Sequence, residues 1–109
     1  MPRTTAKILY QNKFGMQKNK FYYTYVLESL KDGKRYVGYT ADLNKRFRQH
    51  CEGKSFSTRS RLPFKLIYCE ICLNKEDAKR RERFFKQTKG RRFITKRLKS
   101  YYAHHYDNL

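Results

Sequence analysis

The sequence predicts a small mixed α/β fold, a three-stranded antiparallel sheet flanked by helices in the order ββαβαα. Three observations predict it: an aromatic, β-branched run broken by an Asp-Gly turn, a second apolar run after Pro63, and later stretches whose apolar residues recur at helical spacing. With 109 residues the chain has room for one domain. Residues 1–20 contain Arg3, Lys7, Lys13, Lys18 and Lys20, no acid and no sustained period, and read as a basic arm. The domain itself is expected over 21–99, with 100–109 as a tail.

The elements follow in order. FYYTYVLES, from Phe21 to Ser29, is a strand by composition, Asp32-Gly33 a two-residue turn, and Arg35-Tyr36-Val37 the returning strand. That turn pairs Lys31 with Lys34, which sets Ser29 against Tyr36 and Tyr25 against Thr40, and puts Tyr25 and Tyr36 on one face. Gly38 closes the second strand, where it lets the backbone turn or approach a ligand. Thr40 or Asp42 can cap the next helix, in which Leu43 and Phe47 form the buried stripe while Arg46 and His50, also four apart, share another face. Residues 52–61 are a polar loop, and FKLIYCEICL is a third, well-covered strand. Asn74 and Asp77 open a helix through about Thr88, with Ala78 and Phe85 inward; Gly90 stops it, and a last helix carries Phe93, Ile94 and Leu98. The segment SYYAHHYDNL suggests no element.

Composition narrows the partners. Twenty-seven Lys and Arg against nine Asp and Glu give a formal charge of +18, which repels itself unless it meets a polyanion, so nucleic acid is the expected partner. A hydrophobic share of 39% with 17% aromatic residues is too high for a disordered basic tail. No apolar run approaches the roughly 18 residues of a membrane span and no secretory signal is visible, so a soluble, cytoplasmic protein is expected, with no membrane partner. Cys51, Cys69 and Cys72 are an odd set, consistent with a reducing compartment. Cys69 and Cys72 lie three apart in a strand, so they point to opposite faces and read as plain thiols rather than zinc ligands.

The order of short motifs carries the functional signal. Tyr23-Thr24-Tyr25, ten residues, Tyr36-Val37-Gly38, and then Tyr39-Thr40-x-Asp42-Leu43-x-x-Arg46-x-x-x-His50 resemble the GIY-YIG nuclease domain. The likeness continues through Pro63-Phe64-Lys65-Leu66, Glu76-Asp77-Ala78-x-x-Arg81-Glu82 and Lys89-Gly90-Arg91-Arg92, and is nearest to the small standalone bacterial endonuclease-type members. The first motif departs from the family name in having Tyr-Thr for Gly-Ile, and Arg97 falls near the place where some relatives put an asparagine.

The resemblance implies a catalytic set of Tyr25, Tyr36, Arg46, His50 and Glu82. Tyr25 and Tyr36 would flank the scissile phosphate, Tyr36 as general base; Arg46 would stabilise the pentacovalent phosphorus, His50 assist the base, and Glu82 hold one Mg²⁺ or Mn²⁺. Chemistry agrees: phosphodiester hydrolysis needs an activated water and charge neutralisation more than covalent help, and a tyrosine needs a cationic field to act as base. Arg35, Arg46 and the bound Mg²⁺ are the expected source of that field. Glu82 is the sole acid between Lys79 and Lys99, so a two-metal carboxylate cluster is not expected.

Phosphate contacts are expected from Tyr39, Thr40, Arg59, Arg61, Lys65, Arg81, Lys89, Arg91 and Arg92. No helix-turn-helix, zinc-finger or RNA-recognition signature is present, so recognition by backbone and shape is expected, of branched, damaged or single-stranded DNA, with RNA left open. The rival expectation is a DNA- or RNA-binding module with a vestigial site.

Overall fold

The computed structural model describes residues 20–107; apart from Lys20, the basic arm lies outside them. The chain runs β1 (Tyr22–Ser29), β2 (Arg35–Thr40), α1 (Leu43–Cys51), a 3-10 turn (Arg59–Arg61), β3 (Phe64–Cys72), α2 (Lys75–Phe85), α3 (Thr88–Arg97) and α4 (Lys99–Asp107). The three strands form an antiparallel sheet in the order β2-β1-β3, so the mixed α/β class and the ββαβαα order hold, with α4 added at the end.

The hairpin register differs from the sequence reading by two residues: Tyr25 faces Gly38 and Tyr36 faces Leu27. The cause is a longer loop. Ser29 N–H donates to Lys34 O, Gly33 N–H donates to Ser29 O, and Gly33 takes φ +72°, so the turn spans Leu30 to Gly33. Ser29 Oγ also accepts from the Lys31 amide, and Asp32 Oδ1 accepts from Lys34 N–H at 2.8 Å. A slip of two preserves side-chain parity, which is why Tyr25 and Tyr36 still share a face.

Each face has its own core. Tyr25, Leu27 and Phe64 are buried on one, packed by Leu43 and Phe47 of α1 as expected. Val26, Phe85 and Ile94 are buried on the other, beneath α2 and α3. Asp42 is the cap of α1, its Oδ1 accepting from Lys45 N–H at 3.1 Å, and Asn74 Oδ1 caps α2 by accepting from Glu76 N–H at 2.8 Å. Cys69 stands opposite Tyr25 and Cys72 opposite Tyr22, on opposite faces.

Three expectations are corrected. α2 ends at Phe85, and Gly90 lies inside α3 instead of stopping the helix before it. A side chain at Gly90 would strike the Phe84 carbonyl, so this glycine serves close packing between the two helices. β3 is an edge strand with Ile71 59% and Leu73 beyond it 62% exposed, less covered than its apolar run suggests. The segment without a sequence signal forms α4, anchored where Tyr101 and Tyr102 donate to the two oxygens of buried Glu28 at 2.7 and 2.9 Å. No helix of the described residues is long and apolar enough to cross a membrane.

Candidate active site

Gly38 explains the placement of Tyr25. The Tyr25 ring lies across β2 where a Cβ at Gly38 would collide with its Cζ and hydroxyl, so the phenol rises from the central strand and reaches over the edge strand. The expected ligand approach at Gly38 is thus an approach by the protein's own ring, and β2 continues past it to Thr40. Burial pushes the Tyr25 phenol up to about 12; a hydrogen bond from Arg46 opposes that rise, and charge on Tyr36 and Glu82 adds to it.

His50 is fully buried, not the surface imidazole that an isolated helix-end histidine suggests. Its Nε2 is 2.8 Å from Tyr25 Oη and its Nδ1 is 2.7 Å from Thr58 Oγ1, so both ring nitrogens are engaged. Burial, then the charge of Arg46, pull its pKa down to about 4, and the ring is neutral at physiological pH. Tyr36 packs edge-on to the same imidazole, ring centroids 5.2 Å apart, and lies 6.3 Å from the Tyr25 ring.

Arg46, half-buried one helical turn before His50, donates to Gln49 Oε1 at 3.1 Å and to Ser55 Oγ at 3.3 Å. Burial disfavours its charge, but the Tyr25 and Tyr36 hydroxyls outweigh burial and its pKa is raised. Arg35 does not join this group. Adjacent strand residues alternate, and its guanidinium is on the other face, donating to Tyr102 Oη at 2.8 Å, Thr95 Oγ1 at 2.8 Å and Arg91 O at 3.1 Å. Thr58 and Ser55 are the site residues that sequence reading missed. Both sit in the polar loop after α1, and their burial, 0% and 6%, is the signal that composition hid.

Glu82 projects from α2, its side chain 24% exposed, and its Oε2 accepts from Lys86 Nζ at 3.1 Å. Its negative charge adds a minor part to the raised pKa of Tyr25 and of Tyr39. Among the described residues no three His, Cys, Asp or Glu side chains converge as a resident metal cluster would. A lone carboxylate of this kind fits one hard divalent cation completed by waters and substrate oxygens.

The expected phosphate contacts divide. Lys89, Arg91 and Arg92 are exposed on α3, and Arg59 is exposed with its guanidinium 4.8 Å from the Phe56 ring centre. Tyr39 stacks on Tyr22 with Lys79 above it, and Thr40 Oγ1 closes a turn with Asp42. Lys65 lies over the Tyr101 ring. Arg61 pairs with Asp32 at 3.4 Å, and Arg81 holds both oxygens of Glu70 at 2.7 and 2.9 Å while covering Phe84, Phe85 and Phe93, so both are tied into the fold.

Two tyrosines on one sheet face, a basic helix crossing them and an acid on a second helix define a class: the chain belongs to the GIY-YIG family, whose catalytic-domain model matches residues 21–98. Within it, the chain is similar to UPF0213 proteins of bacteria. It is 48% identical to the one from Streptococcus agalactiae over 66 residues, covering 60% of this chain and 74% of that one. It is 44% identical to the one from Bacillus licheniformis over 73 residues, covering 66% and 73%. The solution structure of the UPF0213 protein from Bacillus halodurans aligns with 35% identity and a TM-score of 0.46, over 70% of this chain and 83% of that one.

Proposed function

We propose that this protein is a metal-dependent endonuclease that hydrolyses phosphodiester bonds of DNA in the cytoplasm, selecting structure or weakly selecting sequence. The observation that carries this reading is the convergence of Tyr25, Tyr36, Arg46 and His50, from two strands and a helix, with the charge of Glu82 acting on Tyr25.

The contacts support the following division of labour. Tyr25, held protonated, donates a hydrogen bond to a phosphoryl oxygen at neutral pH. Tyr36, beside Arg46, takes the proton of the attacking water. Because both nitrogens of His50 are occupied, the imidazole supports Tyr25 directly and exchanges a proton with Tyr36 only by changing partner. Arg46 neutralises charge on the pentacovalent phosphorus. Glu82 would hold a single Mg²⁺ or Mn²⁺, which when bound supplies neutralisation of the phosphoryl and leaving oxygens. Exposed cations of α3 bring the polyanion to the site.

The test is cleavage of labelled duplex, flap, splayed and single-stranded DNA with Mg²⁺ or Mn²⁺, by wild type and Glu82→Ala. Cutting by the wild type alone is the expected result. Equal cutting by both rejects the role of Glu82, and salt-sensitive binding with no cutting in any metal leaves a binding module in its place.

A further inference from the structure

The loop after α1 turns one large ring to solvent beside the candidate site. Phe56 is 82% exposed, more than any other large apolar side chain of the described residues. Ser55 before it and Thr58 after it point the other way: both are buried, and their hydroxyls meet Arg46 at 3.3 Å and His50 at 2.7 Å. The backbone between them is closed, because the amides of Thr58 and Arg59 both donate to Ser55 O, at 3.2 and 3.0 Å. This turn places the Arg59 guanidinium 4.8 Å from the centre of the Phe56 ring, so a cation backs the ring and the rest of it is open. Phe56 directly follows the residue that Arg46 contacts, and consecutive Cα atoms are only about 3.8 Å apart. An aromatic ring is thus held outward by the same hydroxyls that hold the site together.

We propose that Phe56, backed by Arg59, is a platform on which one unpaired base of the incoming strand stacks; its place next to the scissile phosphate rests on the nuclease reading above. The chemistry suits a base more than a protein side chain: the chain carries a formal charge of +18, and the ring shares its turn with an exposed arginine able to reach a phosphate. Every base has a π-face, so stacking needs no base-edge readout. A paired base hides its faces in the helical stack, whereas an unpaired one offers them at little cost, so the platform makes Phe56 a determinant of structure selectivity.

The test is binding of a single-stranded DNA oligonucleotide and of its blunt duplex, in EDTA so that the strands stay intact. Phe56→Leu keeps an apolar side chain and removes the ring, at a position too exposed to disturb the fold. It should weaken binding of the single strand about 10-fold and change duplex affinity by less than about twofold. Phe56→Trp should keep the affinity and, since the chain has no other tryptophan, report the stack directly: its emission falls on saturation with the single strand and holds with the duplex. Unchanged affinity in Phe56→Leu, equal losses on both DNAs, or a tryptophan blind to saturating single strand overturns the platform, and cutting by the wild type then leaves the nuclease standing. The expected binding results with no cutting in any metal overturn the nuclease and leave the platform; no binding of either DNA overturns both.

Discussion

Two tyrosine clusters occupy opposite faces of the same sheet, and each is built around an arginine. On one, Tyr25 and Tyr36 adjoin Arg46 and His50; on the other, Tyr101 and Tyr102 adjoin Arg35 and Glu28. Burial raises a phenol to about 12 in both, Tyr25 in the first and Tyr101 in the second. The difference is where the acid sits. Glu28 accepts from both phenols inside the second cluster, and Arg35 spends its donors on Tyr102, Thr95 and a backbone carbonyl, so that cluster closes on itself and pins α4 to the sheet. In the first, Glu82 stands apart on α2, Arg46 has only neutral partners, and the local charge is positive. The same residue types make a clamp when an acid is enclosed with them, and leave the arginine's charge uncompensated when it is not.

The contrast is sharpest in opposed substitutions. Arg46→Ala should lower kcat of DNA cleavage by about 10²–10³, the cost of removing one preorganised donor, with the thermal midpoint little moved; a loss of stability without loss of turnover would exchange the roles of the two clusters. Glu28→Leu should do the reverse. Half-buried tyrosine hydroxyls lose their acceptor, and denaturant titration should read about 2 kcal/mol of lost stability while turnover of the folded fraction stays near wild type.

Thr58→Val keeps the shape at His50 Nδ1 and deletes its hydrogen bond. The expected loss is about tenfold in kcat, equivalent to roughly 1.4 kcal/mol, with KM unchanged and activity returned by Thr58→Ser. Failure of serine to restore activity would mean Thr58 acts through packing alone. The smallest effect concerns pH. The unfolded chain protonates this histidine near 6.5 but the native one only near 4, so its contribution to stability is complete above pH 6.5 and fades as pH falls toward 4. Between pH 7 and pH 5.5 wild type should lose about 1 kcal/mol more than His50→Gln, read from urea midpoints.

The fold class was legible because the strand runs and the Asp42 and Asn74 caps are local signals. Loop length was not. Asp32-Gly33 suggested a two-residue turn, while the hydroxyl of Ser29, which collects two amides, sets a wider one. Gly90 was misread for a related reason: glycine before a polar run looks like a stop, and only the neighbouring helix reveals the close approach it serves. α4 escaped because its hold on the sheet is polar, through Tyr101, Tyr102 and Glu28, and leaves no apolar period. Of the five residues named from motif spacing, Tyr25, Tyr36, Arg46 and His50 come together and Glu82 stands apart on α2, whereas Thr58 and Ser55 sit in a loop whose composition looks solvent-facing. Arg61 and Arg81 each pair with an acid of the same chain, Asp32 and Glu70, a partnership that spacing along the sequence does not reveal.

Gly90 has one more implication. With no side chain between them, the backbones of α2 and α3 meet directly and cannot hinge about Gln87 without opening that contact. The carboxylate of Glu82 and the cations of α3 therefore ride on one stiff elbow, and the distance from the acid to the second limb is fixed in advance, as by a ruler.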